Sequence, residues 1–353
     1  MKLEIDEKLF KDLYPFIVDD NVTDIKWNGR NLWIDDLKKG RYMSDIHLSD
    51  EFLDILTSRI ASHANVHFNV SQPSLQAETE TLRIHAIHPF RTGDHTYILA
   101  IRKTPAKARL NDKVILKEKY ADKLFVALIG AIIRAHMSGI IIGGVGSGKT
   151  EFEKYIAGFI PDNESALTVE DTLEMKLNII YPHKDISAVK IDDDYPAEQA
   201  IRDALRLLTK WLLIAEARGR EITTILEGAS TGCVAWSTIH SENTWEIPDR
   251  IGQMASNGED RETLENNVYM FFNVGIKIKR EIKSNGIFRR IDQICFFNRI
   301  DKENKIIVFM KDGKYTGEKI PDYILKKFID NKENELIRLL NKANLIEESY
   351  EKE

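Results

Sequence analysis

Eight residues near the middle of the chain carry the clearest chemical signal. Residues 143–150 have the G-x-x-x-x-G-K-S/T spacing of a phosphate-binding loop. Glycines let backbone N–H groups approach a polyphosphate, and a helix that begins at the loop directs its positive end at the anion. In this pattern Lys149 reaches the β- and γ-phosphates, and the Thr150 hydroxyl is a ligand of Mg²⁺. The candidate residues for binding a nucleotide are Gly143, Gly144, Val145, Gly146, Ser147, Gly148, Lys149 and Thr150.

The segments on either side of this loop have the secondary structure that a phosphate-binding loop needs, a strand before it and a helix after it. The apolar residues 138–142 predict a buried strand, and residues 151–159 predict a helix with one apolar face. A chance glycine turn is the alternative. Because spacing, lysine, hydroxyl, strand and helix all agree, the sequence favours a phosphate-binding loop.

Hydrolysis of a bound nucleotide needs groups that hold the metal, orient a water and neutralise charge on the γ-phosphate. Glu170 ends the apolar stretch 166–170, Glu216 follows the apolar stretch 211–215, and His240 follows residues 234–238. The carboxyl ends of parallel strands border the ligand crevice of such a sheet, so these three side chains are candidates for the site. Solvated strand ends, a helix cap or a structural histidine are the alternatives.

Composition limits the class of protein. The chain has 353 residues, 43% apolar and 30% charged, which predicts a globular protein of two domains. The net charge of −6 does not favour a standing nucleic-acid partner, and two cysteines cannot build a disulfide framework or a zinc ribbon. The first residues lack the apolar core of a signal peptide, which predicts a cytoplasmic protein.

Hydrophobic patterns divide the chain into segments. Residues 1–103 predict a small mixed α/β domain, with strands at 82–87 and 97–102. Residues 104–118 form a basic linker, 119–345 a domain with alternating strands and helices, and 346–353 an acidic tail. Within the larger domain we expect helices at 119–135 and 322–341, and a hairpin turn at 284–286. A second basic stretch runs from Lys277 to Arg290; such runs are ordinarily solvated, with contact to an anion as the alternative.

Four stretches, in this order, resemble the type II/type IV secretion ATPase family, the cytosolic ring motors of secretion, conjugation and pilus assembly. They read GGVGSGKT (143–150), TVEDTLEMKL (168–177), LLIAEARGREI (212–222) and STGCVAWSTIH (230–240). They are similar to that family's Walker A, Asp box, Walker B and His box. VTDIKWNG (22–29), the strand with Arg83 and LAIRK (99–103) resemble its N-terminal domain. The resemblance covers residues 10 to 300 and is closest to the conjugation and tight-adherence pilus branch.

The resemblance implies a RecA-like P-loop ATPase domain with a parallel sheet core and a smaller mixed α/β N-terminal domain. It implies that Glu170 activates water, that Glu216 is the Walker B acid on the Mg²⁺ side, and that His240 is the second His-box histidine. Arg83 and Arg102 match N-terminal arginines that reach the γ-phosphate of ATP. The sequence departs from the family at Cys233, which replaces the first His-box histidine and puts a coupling role there in doubt.

As a function, the resemblance implies a homohexameric, ATP-hydrolysing motor that works with inner-membrane components of a secretion, conjugative DNA-transfer or pilus machine. It is compatible with peripheral association at the inner face of the plasma membrane, without stable binding to nucleic acid. A pilus retraction motor and a non-hydrolysing nucleotide switch are the alternatives. A GTPase is disfavoured because the nearest N-K-x-D string, residues 331–334, lacks the aspartate.

Overall fold

The structure is a computed structural model that describes residues 5–254, 260–283 and 286–347. The chain forms two compact units, each with its own hydrophobic core. The N-terminal unit contains Met1–Ala106 and Glu281–Phe288, and the C-terminal unit contains Lys107–Arg280 and Arg289–Glu353. The short segment 281–288 joins the first unit, where the Ile287 N–H donates to the Leu37 carbonyl at 3.3 Å.

In the described part of the N-terminal unit, six antiparallel strands form one sheet in the order β3-β2-β1-β6-β5-β4. The strands are β1 (Val22–Trp27), β2 (Leu32–Asp36), β3 (Gly40–Ser44), β4 (Ser74–Glu78), β5 (Leu82–Ile87) and β6 (Ile98–Lys103). The helices are α1 (Glu7–Phe10), α2 (Tyr14–Val18) and α3 (Asp50–Ala64). Alternate strand residues such as Ile25 and Ile84 share a core with Leu53 and Leu56 of α3.

Local signals in this unit agree with the structure. The predicted strand 82–87 is β5, and the second strand is shifted by one residue, to Ile98–Lys103. Ser49 caps α3 by accepting the Phe52 N–H at 3.2 Å. Strands β3 and β4 were not predicted; each is only five residues long, and β4 buries only Leu75 and Ala77.

A second sheet contains nine strands within the described ranges, in the order β15-β14-β13-β12-β7-β11-β10-β8-β9. From β12 to β9 the neighbouring strands are parallel, while β13, β14 and β15 form an antiparallel extension. The strands are β7 (Gly139–Ile142), β8 (Ala166–Glu170), β9 (Ile186–Lys190), β10 (Trp211–Ile214), β11 (Val234–Ile239), β12 (Val274–Lys283), β13 (Gly286–Ile300), β14 (Glu303–Lys311) and β15 (Lys314–Tyr315).

Helices cover both faces of the parallel sheet. Ile141 packs in the cluster that contains Leu128 of α5, whereas Ile140 and Ile142 pack in the cluster that contains Ile225 of α9. The helices are α4 (Asp112–Lys117), α5 (Lys123–Arg134), α6 (Lys149–Ala157), α7 (Leu177–Ile180), α8 (Ala197–Arg206), α9 (Glu221–Ser230), α10 (Ile247–Gly252), α11 (Arg261–Phe271), α12 (Asp322–Asp330) and α13 (Asn334–Lys342). No helix among the described residues is both long and apolar enough to cross a membrane.

Three element predictions need correction. The helix expected at 322–341 is two helices, α12 and α13, because Lys332 between them takes a left-handed φ of 57° that a continuous helix cannot contain. The helix expected at 119–135 starts at Lys123, where Asp122 accepts the Phe125 N–H. The helix expected at 151–159 begins earlier, at Lys149. Ser284 and Asn285 of the predicted turn, and the tail after residue 347, lie outside the described residues.

Candidate nucleotide-binding site

The glycine-rich loop connects β7 to α6 at the carboxyl edge of the parallel sheet. Gly146 and Gly148 adopt φ values of 70° and 96°, and Gly148 is the N-cap of α6. Side chains are strained in this left-handed region, so both positions favour glycine. Val145, at 74% exposure, lies at the surface of the loop. The loop therefore combines an open backbone with a helix N-terminus, as anion binding needs.

Two polar groups of the loop indicate a ligand. Lys149 donates from Nζ to the Gly143 carbonyl at 2.9 Å, so its ammonium group lies against the loop backbone. Burial lowers the pKa of Lys149, while Glu216 and Glu153 oppose that change. Ser147 is 1% exposed, and its hydroxyl has no hydrogen-bond partner among the described residues. A partly desolvated cation beside an unsatisfied hydroxyl fits the phosphates of a nucleotide.

Glu170 ends β8 and is almost fully buried, with 1% exposure. Its Oε1 accepts the Thr168 hydroxyl at 2.8 Å, and its Oε2 accepts the N–H groups of Glu174 and Met175, each at 2.8 Å. Burial raises the pKa of Glu170, and the hydrogen bonds from Met175, Thr168 and Glu174 reduce the rise. Since a carboxylate has about four acceptor positions, one is left for a water molecule.

Glu216 lies two residues beyond the end of β10, the strand between β8 and β11. Its Oε2 accepts Arg218 Nη2 at 2.6 Å, and its Oε1 lies 2.8 Å from Nε2 of His240. Burial alone would raise the pKa of Glu216, but Arg218, with His240 and Lys149, lowers it overall. Glu216 is therefore an ionised carboxylate that faces the lysine of the loop.

His240 directly follows β11, the strand between β10 and β7. The structure therefore brings the loop, Glu170, Glu216 and His240 to one edge of the sheet, as the sequence predicts. Cys233 precedes β11 and thus lies at the opposite edge, where its Sγ donates to the Thr209 carbonyl at 3.0 Å. Cys233 is a buried packing residue and is separated from His240 by the length of the strand.

Thr150 and Glu216 supply a hydroxyl and a carboxylate, the oxygen ligands that Mg²⁺ prefers. The described residues contain no group of three or more His, Cys, Asp or Glu side chains suited to hold a metal alone. Mg²⁺ is commonly held by one or two protein ligands together with phosphate oxygens and water. Thr150 and Glu216 are of the ligand types that such an arrangement uses.

Arg83 and Arg102 belong to the N-terminal unit, and the structure places them side by side. Strands β5 and β6 are antiparallel neighbours in which Arg83 is paired with Arg102. The same row continues to Glu78 beside Arg83 and to Asp24 beside Arg102, with Arg102 Nε 2.8 Å from Asp24 Oδ1. Like charges directly opposite each other destabilise a sheet, and the flanking acids reduce that cost.

Sequence reasoning did not single out several residues of this site. Thr168 donates a hydrogen bond to Glu170, and Arg218 donates one to Glu216. Each donor lies two residues from its acceptor in the sequence, but such short spacing does not by itself predict a contact. Glu153 on α6 is completely buried, although its position in the sequence suggests only a polar helix residue. Arg289, which contacts the loop, lies in the second basic stretch, so a weak signal was present.

Comparisons with known proteins agree with this geometry. Residues 17–305 match the family described as Type II/IV secretion system protein. A putative conjugal transfer protein of Mycobacterium tuberculosis is 24% identical over 286 residues, which cover 76% of this chain and 80% of the relative. An uncharacterized protein of Bacillus anthracis is 23% identical over 299 residues, which cover 79% of this chain and 67% of the relative.

Solved structures with the same fold include an ATPase and a pilus retraction motor. DotB of Yersinia pseudotuberculosis has a TM-score of 0.66 at 16% identity and covers 99% of this chain and 93% of its own. The pilus retraction motor PilT with bound ADP has a TM-score of 0.55 at 15% identity, and the match covers 97% of this chain and 90% of the PilT chain. The fold is thus a RecA-like P-loop domain with a smaller mixed α/β N-terminal domain. The chain belongs to the type II/IV secretion system protein family.

Proposed function

We propose that this protein is a ring-forming ATPase, a homohexamer whose ATP hydrolysis drives a secretion, conjugative DNA-transfer or pilus machine at the inner membrane. The observation that carries the proposal is the convergence of Lys149, Glu170, Glu216 and His240 at one sheet edge. Binding alone would not require a buried carboxylate of raised pKa and a second, ionised one beside the loop. The conjugal-transfer relative and the ATPase fold support the same reading.

Each residue has a task in this proposal. Lys149 exchanges the Gly143 carbonyl for phosphate oxygens, and the loop N–H groups bind the same oxygens. Glu170 accepts a proton from the attacking water, since its raised pKa makes it a stronger base than an exposed carboxylate. Thr150 and Glu216 would hold Mg²⁺, which when bound supplies positive charge to the phosphate oxygens. His240 keeps Glu216 in position.

Arg83 and Arg102 complete the proposed mechanism. Paired guanidinium groups on one sheet face can neutralise the charge that develops on the γ-phosphate. They lie on a different unit from the loop, which motivates the ring: an arginine pair can serve a nucleotide held by another subunit. Location in the cytoplasm and peripheral contact with the membrane follow from the same proposal.

The deciding experiment measures ATP binding, ATP turnover and oligomeric state for the wild type and for Lys149→Ala. We expect hexamers with ATP and loss of binding or turnover in the variant, with little change in Tm because Lys149 is not a core residue. Lys326→Ala, on the exposed side of α12, is the matched control. Wild-type turnover by Lys149→Ala would refute the site, and a monomer with ATP bound would refute the motor.

Two other functions remain compatible with the same site. A pilus retraction motor shares the fold, and PilT is one of the solved structures with that fold. The turnover measurement distinguishes a third function, a nucleotide switch, from the two motors, because a switch would bind ATP without hydrolysing it. Lys149→Ala in the native host, scored for DNA transfer, pilus display and protein secretion, would distinguish the cargoes.

A further inference from the structure

Arg289 of β13 contacts the phosphate-binding loop from within the C-terminal unit. Its Nε and Nη2 donate to the Gly146 carbonyl at 3.2 and 3.1 Å, across 143 residues of sequence. The peptide that carries this carbonyl also carries the N–H of Ser147. A cation on the carbonyl increases the polarity of that peptide, and its N–H becomes a stronger donor to an anion.

The glycines of the loop make this contact possible. A Cβ atom on Gly146 would lie 3.0 Å from Nη1 of Arg280, and one on Gly148 would lie 3.3 Å from Cδ of Arg289. Side chains at either position would therefore crowd the arginines as well as strain the backbone. The loop residues that Arg280 and Arg289 approach are thus glycines, which have no side chain to obstruct the contact.

Three guanidinium groups lie close together here. Burial lowers the pKa of Arg289, and the positive charges of Arg280 and Arg109 lower it further, while Tyr120 and Glu151 oppose that change. The Nε atoms of Arg109 and Arg280 are buried and have no hydrogen-bond partner in the described ranges. Neighbouring like charges and unsatisfied buried donors are unfavourable, and the negative oxygens of a polyphosphate would offset both.

We propose that Arg289 is a positioning residue for the nucleotide: it holds the Gly146 carbonyl so that the following N–H groups face the phosphates. This inference rests on the proposed ATP site and adds a residue to it. Arg280 and Arg289 are also the residues where the chain leaves and re-enters this unit around segment 281–288. Arg289, whose hydrogen bonds hold the loop, is thus the residue at which the chain re-enters this unit.

The test compares Arg289→Ala and Arg289→Lys with the wild type for ATP and ADP dissociation constants, KM and kcat. Because the loop N–H groups would no longer be held toward the phosphates, Arg289→Ala should bind both nucleotides roughly tenfold or more weakly. KM should rise while kcat at saturation stays within a few-fold. Arg289→Lys keeps the charge and one donor and should recover part of the loss.

Arg338→Ala, which removes an exposed arginine on α13, is the matched control and should bind ATP as the wild type does. Guanidinium ion, compared with sodium at equal ionic strength, should improve ATP binding by Arg289→Ala only. Wild-type affinity in Arg289→Ala would overturn the inference, as would a fall in kcat at unchanged KM. If Arg289→Ala does not fold, Arg289→Lys decides, and unchanged affinity there would also overturn it. Failure of the ATP site itself would instead be seen in the wild type and in Lys149→Ala.

Discussion

Nε2 of His240 lies 2.8 Å from Oε1 of Glu216. Glu216 follows β10 and His240 follows β11, and these two strands are parallel neighbours in the sheet. Arg218 holds the other oxygen of the same carboxylate at 2.6 Å. Both oxygens of Glu216 are therefore in contact with side chains of the protein. The proposed mechanism requires Glu216 to act on Mg²⁺ from this fixed position.

Glu216→Gln should leave ATP binding without Mg²⁺ nearly unchanged, because the amide is close to isosteric and Lys149 is untouched. The Mg²⁺ concentration needed for half-maximal turnover should rise by about 10–100-fold, the range typical when groups around a bound metal are removed. A Mg²⁺ titration of ATPase activity measures this. Glu227→Gln, on the exposed face of α9, is the control. An unaltered Mg²⁺ requirement would remove Glu216 from the metal site.

Glu170→Gln should fold normally, since an amide can still accept the N–H groups of Glu174 and Met175 and can donate to the Thr168 hydroxyl. A general base contributes about 10²–10⁴-fold to the rate, so kcat should fall by that factor while ATP binding is retained. Single-turnover hydrolysis measures the chemical step. Turnover within a few-fold of wild type would show that another group activates the water.

Arg83→Ala and Arg102→Ala should bind ATP but hydrolyse it slowly. An arginine that stabilises the transition state contributes about 10³–10⁵ in rate, and two arginines that share the task should each contribute less. Arg59→Ala, on the exposed face of α3, is the control in the same unit. Undiminished turnover in the single variants would show that Arg83 and Arg102 do not stabilise the transition state.

Mixed rings test whether these arginines act between subunits. Arg83→Ala subunits keep Lys149, and Lys149→Ala subunits keep Arg83, so a mixture can contain intact sites that neither variant has alone. ATPase activity of the mixture above the sum of the two variants would support action across a subunit boundary.

Glu153→Leu should stabilise the protein at neutral pH. The Glu153 carboxyl is completely buried, and neither oxygen has a hydrogen-bond partner in the part of the chain that the structure describes. Burial raises its pKa well above 4.5, and Glu170, Glu174 and Glu216 add to the rise while Lys149 opposes it. Each pKa unit corresponds to about 1.36 kcal/mol.

The sign of the pH effect follows from that shift. The folded state holds a proton on Glu153 that the unfolded state releases above its ordinary pKa, so stability is lost as pH rises from there toward the folded-state pKa. Tm measured at pH 5 and pH 8 should fall less with pH in Glu153→Leu than in the wild type. At pH 8 each kcal/mol gained should raise Tm by about 2–4 °C. A lower Tm in the variant would indicate that Glu153 binds a cation or water in solution.

Much of the site could be predicted from sequence alone, since its parts depend on local backbone chemistry. Glycine spacing, an apolar strand before the loop and a helix after it make Lys149 and Thr150 candidates for the site. Acids and a histidine directly after apolar strands identify Glu170, Glu216 and His240, because parallel strands bring their carboxyl ends to one edge. The α/β class follows from the same alternation of strands and helices.

Tertiary structure alone decided the contacts between residues far apart in the chain. The pairing of Arg83 with Arg102 depends on strand register, and a shift by one residue would place them on opposite faces. The hold of Arg289 on Gly146 depends on how β13 crosses the sheet, and the burial of Glu153 depends on what packs against α6. Such contacts arise from packing among distant segments, whereas local sequence patterns specify only the conformation of each segment.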